Sequence, residues 1–433
     1  NLYRCSSKID EKVIKEGTMK IWILNHYATD MYFDGTGRHQ GLAKYLIRKG
    51  HEVKIFCANT VHNSDEIVDT ENSEYIEKIG KDNVPYVFVK TRPYQGNGKN
   101  RILNMLDYYR HIRKVMNIYK KKKGVPEIIL ASSVHPLTLI DGIKWGRKNR
   151  IPCICEVRDL WPETFLDFGF TKKNPIIKFM YRMEKWIYRK SDALIFTMEG
   201  GKDYIVEKGW DSSVSLDKIN YINNGVDLEL YKENIAENIL SDIDLKNNDC
   251  FKVIYAGSIR PANGVDNIVK CAQYLKEDDI KIIIFGEGPD KTNLEKYCTD
   301  NDISNVIFKG RVDKKYIPYI ISKGNITLLN YKQCAIDRFG TSQNKLFEYL
   351  ASGSPIIANV HMGYDIIEQY NCGISKAFDS DKEYADAILS IKNLSKQGFD
   401  DLCKNAEQAA ENFDYKIWAD KLEKIMLMTK MFS

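Results

Sequence analysis

The sequence predicts an α/β chain built from two doubly wound parallel-sheet domains that face each other across a cleft. Three observations carry this. Short β-branched runs alternate with longer helical patterns, which is how parallel sheets covered by helices read. The alternation occurs twice, in two series parted by a polar stretch between residues 227 and 251. The length of 433 residues is about three times an ordinary single domain.

In the first series, strands are predicted over 21–24, 53–58, 86–89, 128–131, 153–157 and 193–197, with helices over 40–49 and 102–122. In the second, strands are predicted over 252–256, 281–285, 306–309, 326–329 and 356–358, with helices over 265–275 and 343–351. Residues 1–18 are polar and are read as an extension or leader, poorly ordered and outside the fold. The predicted boundaries are 19–230 for the first domain, 231–410 for the second, and 411–433 for a terminal helix crossing back to the first.

A net charge of +5 is small for this length and argues against a nucleic-acid binder. The ten cysteines show no C-x-x-C, so reduced thiols and a cytosolic compartment are expected. No apolar run approaches the roughly 18 residues that span a bilayer.

Ligands of such sheets bind beyond the carboxyl ends of the strands, and four motifs fall there. Asp34-Gly35-Thr36-Gly37-Arg38 follows the first strand, where Gly35 and Gly37 let backbone approach a ligand; a tight turn with no ligand accounts for it equally. Ser258-Ile259-Arg260-Pro261-Ala262-Asn263 opens the second domain, and Arg260 offers paired donors to a diphosphate or is a solvated loop arginine. Gly286-Glu287-Gly288 follows the next strand and puts backbone, with Glu287, at the cleft edge. Gly340-Thr341-Ser342-Gln343-Asn344-Lys345-Leu346-Phe347-Glu348 is the most informative. Thr341 or Ser342 is expected to cap a helix whose free N–H groups hold phosphate oxygens, with Leu346 in its first turn. Lys345 and Glu348 are three apart and share a face, the lysine toward phosphate and the glutamate toward a ribose diol. The alternative is an ion pair on a solvent face.

In the first domain Glu156-Val157-Arg158-Asp159-Leu160-Trp161-Pro162-Glu163 places four ionisable groups beyond a strand, and His135 ends the preceding one. A lone histidine is more often structural. Residues 100–123 and 175–190 interleave Lys and Arg with aromatics, as helices on anionic membranes do; a surface helix packed on its own sheet explains each singly.

Taken in order, Gly-His-Glu-Val at 50–53, Asn-Gly-Val-Asp at 224–227, Gly-Glu-Gly-Pro at 286–289 and the Asn-Lys-Leu-Phe-Glu-Tyr helix resemble glycosyltransferase family 4, from Met19 onward. The Glu156–Glu163 run, with Ala-Ser-Ser-Val-His-Pro at 131–136, resembles the branch that adds sugars such as N-acetyl-fucosamine in O-antigen and capsule assembly.

The resemblance implies the GT-B fold of two Rossmann-like domains. It also implies metal-independent transfer with retention, a nucleotide-sugar donor (UDP-sugar) as substrate with no further cofactor, and a lipid-linked saccharide acceptor. The chain is then expected on the inner face of the cell membrane. Lys345, Asp159 and His135 become the expected catalytic residues, the last two positioning sugar hydroxyls. Gly35, Gly37, Ser258, Arg260, Asn263, Glu287, Arg311, Ser342, Lys345, Leu346 and Glu348 become the donor side, and Arg38, Arg158 and Glu163 the acceptor side.

Two departures stand out. Gly340 replaces the first of two family glutamates, and Ser258 and Asn263 stand where the family carries Arg and Lys. Diphosphate charge then falls to Arg260, Lys345 or Arg338. Two rival functions share the fold: an epimerase or hydrolase of a nucleotide sugar, and a non-catalytic partner in polysaccharide assembly.

Overall fold

A computed structural model describes residues 17–432 apart from 63, 65, 97, 134, 167, 168, 277 and 278. Residues 1–16 of the expected extension thus lie outside the described residues.

The first sheet comprises β1 (Lys20–Leu24), β2 (Glu52–Ala58), β3 (Tyr75–Ile79), β4 (Pro85–Val89), β5 (Ile128–Ser133), β6 (Cys153–Val157), β7 (Ala193–Phe196) and β8 (Ile219–Tyr221), in spatial order β3-β4-β2-β1-β5-β6-β7-β8. All pairs are parallel except β3 with β4. The second sheet comprises β9 (Phe251–Ala256), β10 (Ile280–Phe285), β11 (Val306–Gly310), β12 (Ile326–Asn330), β13 (Ile356–Asn359) and β14 (Gly373–Ser375), ordered β11-β10-β9-β12-β13-β14 and wholly parallel. Central strands are buried along both faces, so they read as continuous apolar runs.

The reading omits β3, β8 and β14. β3 is an edge strand, only partly covered, whose Glu77 and Lys78 break the apolar run. β8 and β14 are three residues long, below the reach of a periodicity argument.

The polar stretch after residue 227 is not a bare linker. It folds into helices Leu228–Glu237 and Ile243–Lys246, capped by Asp227 and Asp242. Asp242 and Asp244 both pair with Lys309.

The helix Lys99–Lys123 packs on its own sheet: Tyr108 and Tyr119 are buried, Arg113 faces Asp141 and Lys114 faces Glu74. Two of its three tyrosines therefore belong to the core. The helix Pro175–Lys190 differs, leaving Ile176 and Phe179 largely exposed. Among the described residues no helix is long and apolar enough to cross a membrane.

The terminal helix Tyr415–Phe432 lies on the first-domain helix Arg38–Arg48. Gly41 makes this possible, since a Cβ there would sit 2.4 Å from the Tyr415 ring. His51 Nε2 meets Glu423 at 2.8 Å, and Trp418, buried, donates its Nε1–H to the Asn224 carbonyl at 3.2 Å.

Candidate active site between the two sheets

The 223–227 segment leads from the first domain to the second, and its two asparagines bind the loop that precedes the Lys345 helix. Asn223 Nδ2 donates to the Thr341 carbonyl (3.0 Å) and Asn224 Nδ2 to the Ser342 carbonyl (2.6 Å). These bonds hold residues 341–343 away from the helix, which starts at Asn344. Gln343, extended and without a side-chain capping bond, stands at the cap position instead of Thr341 or Ser342.

Behind this loop is a cleft of about 220 Å³ walled by Thr36 and Gly37 from the first domain and by Tyr231, Lys314, Lys345 and Glu348 from the second. Lys345 Nζ donates to Tyr255 Oη at 3.0 Å and lies 4.7 Å from that ring. Gly257 leaves room for it, because a Cβ there would fall 2.5 Å from Nζ. Burial, then neighbouring Arg260, lower the ammonium to about 8, with Glu348 opposing. The Glu348 carboxyl takes no hydrogen bond or ion pair among the described residues. Burial raises its carboxyl, and Lys314 and Lys345 pull the other way.

Two further hollows adjoin. One, on the first-domain side, shares Thr36, Gly37 and Lys314 with the cleft and adds Tyr27, His62, Arg101 and Arg158. Lys314 closes across its mouth to Asp34 at 3.4 Å. The other lies beyond β9, β10 and β11 and is lined by Ser258, Gly286, Glu287, Arg311 and Val312.

Two family models match in tandem: Glycosyltransferase Family 4 over residues 35–230 and Glycosyl transferases group 1 over residues 237–413. The chain belongs to the family 4 glycosyltransferases. Over 405 residues, 85% of this chain and 96% of the relative, it is 20% identical to the colanic acid biosynthesis glycosyl transferase WcaI of Escherichia coli strain K12. It is 28% identical to the teichuronic acid biosynthesis glycosyltransferase TuaH of Bacillus subtilis strain 168, over 33% of this chain and 34% of TuaH. Among solved structures, sucrose-phosphate synthase from Thermosynechococcus elongatus superposes with a TM-score of 0.69 at 14% identity, covering 96% of this chain and 100% of that one. Anabaena HepE in complex with UDP and glucose gives 0.65 at 15% identity, covering 95% and 100%. These likenesses establish the GT-B fold.

In this glycosyltransferase the expected residues fall into distinct places. Lys345, Glu348 and Gly37 line the cleft; Arg158 lines the first-domain hollow; Ser258, Glu287 and Arg311 line the third. Gly35, with φ 63°, ends the helix Thr29–Asp34 next to Thr36 of the cleft wall, and Ser342 does not line the cleft, its carbonyl accepting from Asn224 Nδ2. Of the three cations left open for the diphosphate, Lys345 alone lines a hollow described above. Arg260 is exposed outside them, and Arg338 is bound to Glu207, with Nη2 2.7 Å from Oε1.

Five expectations are corrected. Arg38 does not offer itself to an acceptor: its guanidinium, about 1% exposed, pairs with Glu156 at 2.6 Å and donates to the Ile222 carbonyl at 3.0 Å. Burial resists ionisation of Glu156, but Arg38 and His39 outweigh it and hold the carboxyl well below its usual range. Glu163 is likewise internal, bound by Lys208 and by the Tyr181 hydroxyl. Asn263 is a brace, donating to the Ser258 carbonyl at 2.7 Å and hydroxyl at 2.8 Å. Leu346 is a core side chain whose N–H bonds the Gln343 carbonyl. His135 is buried behind the hollow, its Nε2 2.7 Å from His26 Nδ1, and burial and Arg101 lower it to about 3, so it is neutral.

Asp159 keeps solvent access beside Trp161 and Met183. The surrounding protein raises its carboxyl, with Arg158 and Arg101 opposing. Lys314, Tyr231 and Tyr255 were not singled out from the sequence. Lys314 had a signal, a cation in the Gly310-Arg311-Val312 loop at a strand's carboxyl end; Tyr231 and Tyr255 had none, being aromatics of ordinary core pattern.

Proposed function

We propose that this glycosyltransferase moves a hexose-type sugar from a uridine diphosphate donor to a lipid-linked saccharide during assembly of a bacterial surface polysaccharide. The carrying observation is the pairing of Lys345 and Glu348 on one helix face in the interdomain cleft. The names of WcaI and TuaH support the polysaccharide context, and the UDP complex of HepE supports the donor class.

In this reading the diphosphate lies against the start of the Asn344 helix, where N–H groups and Lys345 meet its charge. Glu348 accepts from the ribose diol, and the base occupies the hollow between Gly286 and Arg311. The sugar then points toward Arg158 and Asp159, with the acceptor entering from the first-domain hollow. As the glycosidic bond breaks, negative charge grows on the leaving diphosphate. Donors already aimed at it lower the barrier without reorganising. Retention follows when the acceptor hydroxyl attacks from the face the diphosphate leaves and gives up its proton to it. The resemblance implies that no metal takes part. Closure of the domains would align the reactants and exclude water. The helix Pro175–Lys190 would lie on the inner face of an anionic membrane.

Thermal unfolding with UDP, GDP and ADP tests the donor. At about a hundred times its dissociation constant a ligand adds roughly 2.7 kcal/mol, readily measured. A shift with UDP alone is expected; no shift with any nucleotide would return the fold to a non-catalytic role.

A further inference from the structure

One cavity of the first domain shares no lining residue with the donor cleft. It is a narrow apolar slot of about 20 Å³ under the helix Pro175–Lys190, lined by Leu139, Val157, Trp161, Met180, Met183 and Ile187. Its polar end is Asp159, next in the chain to Arg158 of the acceptor-side hollow.

The slot is joined to the surface. Ile176, Met180, Met183 and Ile187 follow the i, i+4, i+7, i+11 spacing that keeps residues on one helix face. This stripe runs from Ile176, 66% exposed, to Ile187, 1% exposed. Phe179, three residues on from Ile176, is 63% exposed. Lys172 and Lys173, both exposed, precede Ile176 in the chain, so the mouth is apolar with a cationic rim at its outer end. Such a rim favours an anionic amphiphile over a neutral one.

Asp159 is the carboxyl at the slot's polar end; Glu184, the second acidic residue in its wall, is buried under the Tyr188 and Tyr204 hydroxyls. Burial pushes its carboxyl up to about 8 against those hydrogen bonds. As it stands the slot has room for roughly one water-sized group. Met180 and Met183, unbranched, are the side chains that can yield to a chain sliding between them.

We propose that this slot receives the hydrocarbon chain of the acceptor lipid next to its phosphate, with the anionic head group held by Arg158 at the rim of the hollow. The proposal rests on the lipid-linked acceptor reading above. It supplies that reading with a path: bilayer, exposed stripe, slot, and a head group delivered one residue from the cleft.

The test uses the full chain and a soluble probe, geranylgeranyl phosphate, with UDP stabilisation measured in parallel. Met183→Trp fills the slot from within and Met180→Trp fills it at its outer rim. Since each buried methylene group is worth about fourfold in affinity, either variant should weaken the probe by more than about tenfold while the UDP shift stays as in the wild type. Inorganic phosphate should compete weakly. Ile176→Ser with Phe179→Ser should reduce binding to phosphatidylglycerol-containing vesicles. Wild-type binding of the probe that survives both tryptophan substitutions overturns the slot, as does failure of the wild type to bind the probe while UDP still stabilises it. Absence of the UDP shift in the wild type is a different failure, that of the donor reading.

Discussion

Replacing Lys345 with methionine should make the free protein more stable and its grip on the diphosphate weaker. The ammonium sits against Tyr255 in a cleft that lowers its pKa from 10.5 to about 8. That displacement is worth about 3 kcal/mol, an upper figure because the side chain keeps some solvent contact. The sign follows from proton counts. Between pH 8 and 10.5 the unfolded chain holds the proton and the folded one releases it, so stability rises with pH across that window. Below 8 the full cost of a charged, half-buried lysine is present.

Methionine has similar length and no charge, so at pH 7 Lys345→Met should gain about 1–3 kcal/mol in denaturant unfolding without ligand. A bound diphosphate reverses the balance by supplying the missing counter-charge. Wild-type affinity for UDP should then fall about tenfold per pH unit above 8, as the ammonium deprotonates. The variant should bind UDP weakly with no such slope. The difference between wild type and variant is the quantity to plot, because Asp141, Glu184 and Lys208 also titrate near 8. Calorimetric titration of UDP at pH 7 and 9, with unfolding at both, decides the matter. A variant that is destabilised, or that binds UDP with wild-type affinity and slope, would refute a phosphate role for Lys345.

Three other outcomes are expected. Glu348→Gln should weaken uridine, UMP and UDP alike by about tenfold, since it removes an acceptor for the ribose diol; a loss confined to UDP in calorimetry would contradict the ribose assignment. Arg38→Met should cost about 3–5 kcal/mol in unfolding of the first domain, because Glu156 would be left buried without its guanidinium, held only by His39 and Ser132; a small loss of stability with a large loss of acceptor affinity would restore the contact role. Gly225→Ala should loosen the terminal helix, for the added Cβ would lie 2.1 Å from the Phe413 carbonyl oxygen, and limited proteolysis should then release residues near 415 before the rest of the chain unfolds.

Most strands were legible because each is a short β-branched run buried on both faces, and burial on both faces leaves a local signature that needs no partner to be read. The predicted 153–157 strand coincides with β6, and the others differ by at most two residues at an end. The helix carrying Lys345 and Glu348 was legible for the same kind of reason: three-residue spacing alone puts both on one face. Where reading failed, the cause lay in distant chain. Thr341 and Ser342 look like caps, but their carbonyls accept from Asn223 and Asn224, which lie 118 residues back.

What the sequence determined by itself was local: two alternating series, glycine turns beyond the strands 21–24 and 281–285, and a lysine and a glutamate on one helical stripe. What the tertiary structure decided was which charges remain for a ligand. Arg38 and Lys345 are both cations near a cleft. The fold sets Arg38 against Glu156, 118 positions away, and Lys345 against an aromatic ring and a glycine. An opposite charge within contact distance satisfies a cation and removes it from chemistry, while desolvation without one leaves it to be completed by an anion. That distinction depends on neighbours brought together by the sheets, so no stretch of sequence contains it.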